Sequence, residues 1–158
     1  MDNLIRAIDP GPVRSAYVDW DGDRIHNFGI FENMLSYHMI DDVPHTVIEM
    51  IASYGMPVGR DVFETAFWIG RFWEQYTSRG CGCSLLYRKD VKMHLCGTNR
   101  AKDSNITTAI VDRFDPNREY GKYGKGTKNK PGMFYGFSKD VWAAFALALT
   151  YYDKNING

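Results

Sequence analysis

Three acidic side chains of this 158-residue chain stand where acids are costly, and together they could support metal-assisted chemistry. Asp9 closes an apolar run in Ala7-Ile8-Asp9-Pro10-Gly11, Glu49 lies between Ile48 and Met50 in a β-branched segment, and Asp140 opens an otherwise almost uncharged stretch. A carboxylate inside a buried element must be paired, protonated or bound to a cation. If the strands carrying Asp9 and Glu49 are neighbours, both acids point at one spot near the strand carboxyl ends, and a helix packed across the sheet brings Asp140 to it. Carboxylates gathered in this way repel one another, and at neutral pH a divalent ion is the simplest neutraliser. All-oxygen ligation favours Mg²⁺, or Mn²⁺ in its place, over zinc. Two such ions roughly 4 Å apart supply the water activation and leaving-group stabilisation that phosphodiester hydrolysis needs. The bland alternative stays open from spacing alone: Asp9 as a turn residue, Glu49 paired with an arginine, and Asp140 supporting a helix N-terminus.

The elements that must position these groups follow from the pattern. Residues 4–9, 15–20 and 24–31 read as strands, with Pro10-Gly11 and Asp21-Gly22 as the intervening turns. Residues 45–51 form a fourth strand in which Val47, Glu49 and Ile51 share a face. The period then changes to helical over residues 61–76, where Val62, Ala66, Ile69 and Trp73 recur, and residues 83–87 make a fifth strand. A short helix or turn over 91–95, a helix over 102–114 and a long helix over 138–152 with Ser138 as N-cap complete the series. Strand, helix and strand between 45 and 87 imply one right-handed crossover with parallel pairing. This order suits an α/β, ribonuclease-H-like fold: a five-stranded mixed sheet flanked by helices, in one domain spanning 1–158.

Composition narrows the class. The chain is 44% hydrophobic and 24% charged, which excludes wholesale disorder, and its best apolar stretch, 141–150, is too short for a bilayer. Met1-Asp2-Asn3 does not read as a secretory signal, and three cysteines without such a signal imply reduced thiols and a cytoplasmic setting. Net charge is zero but uneven: residues 1–60 carry 4 basic and 9 acidic side chains, residues 61–158 carry 15 and 10. A polyanion-binding enzyme with a carboxylate centre has that asymmetry, although chance also produces it. Cys81, Cys83, His94 and Cys96 lack zinc-ribbon spacing, and the four histidines form no set for acyl transfer.

Four motifs occur in order: Ala7-Ile8-Asp9-Pro10-Gly11; Val47-Ile48-Glu49; Val91-Lys92 with Gly97-Thr98-Asn99-Arg100-Ala101-Lys102; and Asp140 leading Ala146-Leu147-Ala148-Leu149-Thr150. Together they resemble the RuvC family of Holliday junction resolvases, its short bacteriophage-type relatives in particular. The resemblance implies a crossover junction endodeoxyribonuclease in which Asp9, Glu49 and Asp140 are catalytic metal ligands. It implies four-way junctions as substrate, three-way and flap structures as further candidates, and a homodimer matching the two-fold junction. The family usually carries another acid three residues into the last helix, where this chain has Ala143. That departure supports the alternative of a non-catalytic nucleic-acid-binding module. Asp153 is at the wrong distance to substitute and is expected to be solvent-exposed.

Lys92, Arg100 and Lys102 match basic positions of the family that hold the DNA backbone, whereas Asp103 replaces a basic or polar one. Residues 118–130 hold five basic residues and one acid, spaced by Gly121, Gly124 and Gly126. Glycine allows flexibility and close backbone approach, while Lys122, Lys125, Lys128 and Lys130 would neutralise phosphates. Tyr54, shortly after Glu49, is a candidate for stacking on an unpaired base, with a buried tyrosine as the alternative. Phe67, Trp68, Phe72 and Trp73 cover more than one helix face, and the surplus over core packing suits a dimer contact.

Overall fold

The computed structural model describes residues 2–39 and 43–158. Its sheet has the order β3-β2-β1-β4-β5, built from β1 (Ile5–Asp9), β2 (Arg14–Trp20), β3 (Ile25–Glu32), β4 (His45–Met50) and β5 (Gly82–Tyr87). β2 pairs antiparallel with β1 and β3, while β4 pairs parallel with β1 and β5. The mixed five-stranded sheet flanked by helices is therefore the expected one, and β1 and β4 are hydrogen-bonded neighbours.

Side-chain alternation separates two cores. On one face Ile5 and Ala7 of β1, Ala16, Val18 and Trp20 of β2 and Val47 of β4 meet α5 (Lys139–Asn155), α3 (Arg88–Cys96) and α4 (Asp103–Phe114). On the other face Ile8 and Ile48 meet Trp68, Ile69, Phe72 and Tyr76 of α2 (Arg60–Thr77). α5 is buried from Val141 to Tyr152 except at Ala143 and Tyr151, which is why its interior carries apolar and aromatic residues, with Thr150 the one buried hydroxyl and bonded to the Ala146 carbonyl. Aromatic contacts tie it to the sheet and to the segment before it: Trp20, Phe134 and Phe137 all pack on Phe145. No helix of the described residues is long and apolar enough to cross a membrane.

Several details depart from expectation. Residues 33–39 form a 3₁₀ turn (Asn33–Leu35) followed by the short α1 (Ser36–Met39), which no periodicity announced. β4 ends at Met50, so Ile51 escapes the alternation and packs with the α2 core instead of sharing a face with Val47 and Glu49. α3 begins three residues earlier than expected because the chain turns directly from β5 into it. Ser138 occupies the N-cap of α5, but its side chain makes no capping hydrogen bond. Residues 119–132 form a hydrogen-bonded structure in which Asp115 accepts from the Glu119 and Tyr120 N–H groups, at 2.9 and 3.0 Å, and Gly126 pairs with Pro131. A Cβ on Gly126 would lie 2.2 Å from the Lys130 carbonyl oxygen, and Gly126 has φ +68. Close approach, not looseness, is what this glycine provides.

One polar pair lies inside the α2 core. Arg6 and Asp19, opposite each other on β1 and β2, are both buried, and Arg6 donates Nε to Asp19 Oδ1 at 2.7 Å and Nη2 to Oδ2 at 2.8 Å. Removing one partner leaves a charge without its counterpart in low dielectric. Asp19→Ala is expected to cost about 3–5 kcal/mol, read from urea unfolding.

Candidate active site

Alternation along two strands sets the site. In β1 the α5-facing residues are Ile5 and Ala7, so Asp9 faces α5 as well, and in β4 the same parity carries Val47 and Glu49. The register pairs Ile8 with Ile48, one residue before the two acids, and the strands run parallel. Asp9 and Glu49 therefore meet side by side at the same end of the sheet. Pro10 offers no N–H to extend β1. A buried network holds the following turn: Asn33 Nδ2 donates to the Gly11 carbonyl at 2.8 Å, and Ser15 Oγ donates to Asn33 Oδ1 at 2.7 Å. Asn33, in the unannounced 3₁₀ turn, thus helps aim Asp9 through a residue that sequence reading had no reason to select.

Asp9, Glu49 and Asp140 line one cavity of about 250 Å³ together with Arg88, Asp103, Ile106, Thr107, Lys139, Trp142 and Ala143. Burial first, then a hydrogen bond with Glu49 and the charges of Glu49 and Asp140, push the Asp9 carboxyl up to about 9 against the opposing pull of Arg88. The Glu49 side chain is 13% exposed, and its Oε1 is buried without a hydrogen-bond partner. Arg88 Nη1 stands 3.6 Å from that oxygen, beyond hydrogen-bond range. An orphaned carboxylate oxygen beside a second acid of raised proton affinity fits a hard cation. The three acids face the cavity without closing on a point: among the described residues no group of three His, Cys, Asp or Glu is drawn together to metal-holding distance. The same holds for Cys81, Cys83, His94 and Cys96, and His94 bonds Asp153 at 2.8 Å instead.

Two residues of the cavity were not among the expected site residues. Arg88, first residue of α3, forms an ion pair with Asp103, first residue of α4, and faces Glu49 with its other terminal nitrogen. Burial works against the Arg88 charge, but Glu49 and Asp103 outweigh it, so the guanidinium holds its proton more tightly than usual. The Arg88 hydrogen bond holds the Asp103 carboxyl below the usual range against partial burial, with the Arg88, Lys139 and Lys92 charges assisting. The arginine partner imagined for Glu49 exists, but it is shared with a second acid and lies in the cavity itself. A basic residue directly after a strand, with an acid at the next helix start, was the available signal.

Arg88 also lines an adjoining cavity with Tyr54, Lys89, Lys92 and Asn99. Tyr54 is 64% exposed and in the left-handed region (φ 50), so the buried alternative does not hold. Arg100 lies apart from this group, in a depression with Cys96, Thr98, Asn105 and Asp112, and Lys102 is exposed at the N-cap of α4. In the glycine-containing loop Lys122, Lys128 and Lys130 are exposed and Lys125 is half-buried. Lys122 and Lys130 sit over the rings of Tyr123 and Tyr120. Asp153 is a correction: its side chain is only 18% exposed, because Arg113 holds both oxygens at 2.7 and 3.0 Å while His94 approaches one.

Comparison with solved structures identifies the fold. The chain is similar to RuvC of Thermus thermophilus, with a TM-score of 0.66 and 13% identity over 96% of this chain and 95% of that one. It is also similar to T. thermophilus RuvC in complex with Holliday junction substrate, with a TM-score of 0.63 and 12% identity over 94% and 92%. No protein-family model matches the sequence, and a search of curated proteins found no match. The fold is thus the ribonuclease-H-like fold that RuvC has, shared at very low sequence identity.

The raised proton affinity of Asp9 has a signed consequence. The unfolded chain releases this proton in the ordinary carboxylate range, near 3.8, while the folded chain keeps it up to about 9. Between those limits the folded state binds more protons, so stability falls as pH rises. Thermal unfolding in EDTA should show the parent protein losing stability across that window relative to Asp9→Asn. Parallel pH profiles for the two proteins would contradict this account of the site.

Proposed function

We propose that this chain is a structure-specific endonuclease of the RuvC type, resolving Holliday junctions and other branched DNA by paired nicks that leave 5′-phosphates. The observation that carries the reading is the meeting of Asp9 and Glu49 on adjacent parallel strands beneath Asp140, around a buried Glu49 Oε1 that has no hydrogen-bond partner among the described residues. Asp9, Glu49 and Asp140 would hold Mg²⁺, or Mn²⁺ in its place. The bound ion would supply Lewis acidity at the scissile phosphate. The chain's own groups hold and orient the strand: Lys92 beside the site, Tyr54 projecting for stacking on an unpaired base, and the lysines at 122, 125, 128 and 130 on backbone phosphates. Arg100 and Lys102, set away from the cavity, would reach a flanking arm.

The active unit in this proposal is a homodimer, each copy one nuclease domain over residues 1–158, working in the cytoplasm. Phe63 and Phe67 of α2 stay exposed beside Pro12 and Trp68, leaving an apolar groove that a second copy would cover. The quoted motifs favour a bacteriophage-type member. A second reading has one observation behind it: Ala143 lines the cavity where an acid would be expected, as in a module that binds branched DNA without cutting it.

A cleavage panel separates the two. Synthetic four-way junctions should be nicked in Mg²⁺ and left intact in EDTA, with linear duplex uncut, and Asp9→Asn should bind the junction without cutting it. Binding without cleavage by the parent protein would establish the second reading. Equal cutting of linear duplex would replace resolvase with general nuclease. The lysine loop has its own signature: the triple variant Lys122→Ala, Lys125→Ala, Lys128→Ala should lower the slope of log affinity against log salt by about 2–3.

A further inference from the structure

The cavity holds four carboxylates, Asp9, Glu49, Asp103 and Asp140, and two cations, Arg88 and Lys139. With every acid ionised the protein's own excess is two negative charges, the charge of one divalent ion, and a bound phosphate adds a third. The ligand supply agrees. Asp103 is engaged by Arg88, and the position one turn into α5 is the methyl of Ala143, leaving Asp9, Glu49 and Asp140 as the carboxylates available to an ion. Arg88 itself is 26% exposed, fixed from one side by Asp103, and common to the acidic cavity and to the basic one lined by Tyr54, Lys89 and Lys92. A strand crossing from one cavity to the other passes its guanidinium. That group is always charged, and its planar fork of five donors, more than Asp103 takes up, matches phosphate oxygens.

We infer that Arg88, held in place by Asp103, is the second positive charge of this site, contacting the scissile phosphate directly, so that the cavity takes one divalent ion and not two. The inference rests on the nuclease reading above. In the reaction a water oxygen forms a bond to phosphorus while the bond from phosphorus to O3′ breaks; the water gives up a proton to solvent and O3′ takes one up. Arg88 stabilises the charge on the non-bridging oxygens as this occurs, and Asp103 is a positioning residue for it.

The test begins with Mn²⁺ alone, titrated calorimetrically into the metal-free protein, where one ion per chain is expected. Two ions per chain overturn the inference and leave the nuclease reading standing; no binding at all removes both. Arg88→Gln, checked for an unchanged fold by thermal unfolding, should still bind one ion and should cut four-way junctions about 100-fold more slowly. Junction affinity measured in Ca²⁺ should fall far less. Arg88→Lys should lose about 10-fold, because it keeps the charge and lacks the fork. Adding Ala143→Asp to Arg88→Gln should introduce a second ion in the titration and recover part of the lost rate. Cleavage by Arg88→Gln at the parent rate overturns the assignment.

Discussion

The site depends on an electrostatic conflict. Two carboxylates are placed side by side at the ends of adjacent parallel strands and roofed by a helix that brings a third acid. Water cannot screen them as it does on a surface, so one of them keeps a proton far above its ordinary range or a cation enters. The fold answers part of the conflict internally. Arg88 lies against Glu49 and lowers the proton affinity of Asp9, but at 3.6 Å it does not satisfy the Glu49 oxygen. The remaining imbalance is what a divalent ion would relieve, and a self-contained salt-bridge network would not leave it.

The rest of the molecule holds that conflict in place. An almost wholly apolar α5 is needed because the helix lies across β1 and β2, and any slip along the sheet would carry Asp140 away from Asp9. The opposite face needs its own anchor, supplied by α2 and the Arg6–Asp19 pair, so that β1 cannot rotate and present Ile8 where Asp9 should be. The acids are thus positioned by the parity of two strands and the packing of two cores. Very little of this depends on the identity of particular core residues, which is how a chain at 13% identity can share a fold with RuvC over 96% of its length.

What could be read from the residues has a physical pattern. All five strands and the three longest helices were legible, because alternation and helical spacing are local properties of the chain. Asp9, Glu49 and Asp140 were legible because an acid in an apolar run is anomalous without any knowledge of topology. The segment at 33–39 was not, since a 3₁₀ turn and a single helical turn have no period to detect. Arg88 and Asp103 were missed for a different reason. Each looks like an ordinary charged residue at a helix start, and only the packing of α3 beside α4 joins them across the cavity. Asp153 erred in the same direction: its partners lie 40 and 59 residues away, and a charged residue near a helix end reads as solvated until they are known.

That asymmetry bears on how charge is divided across the molecule. The site does not follow the division of charge along the sequence: the acidic cavity takes Asp9 and Glu49 from the first part and Asp103 and Asp140 from the second, and it abuts a basic cavity at Arg88. A polyanion drawn by Lys89, Lys92 and the loop lysines would be repelled by uncompensated carboxylates at the point where it must come closest. A fixed cation on the border would lower that barrier before any ion arrives, and because it is tethered it would need no recruitment from solution. Asp103 would then have a clear physical role in a position where a basic or polar residue was expected. It adds a negative charge to an already acidic cavity, which is unfavourable alone, but it fixes the direction of the guanidinium. A directed cation is worth more to a phosphate held at one angle than a mobile lysine of the same charge.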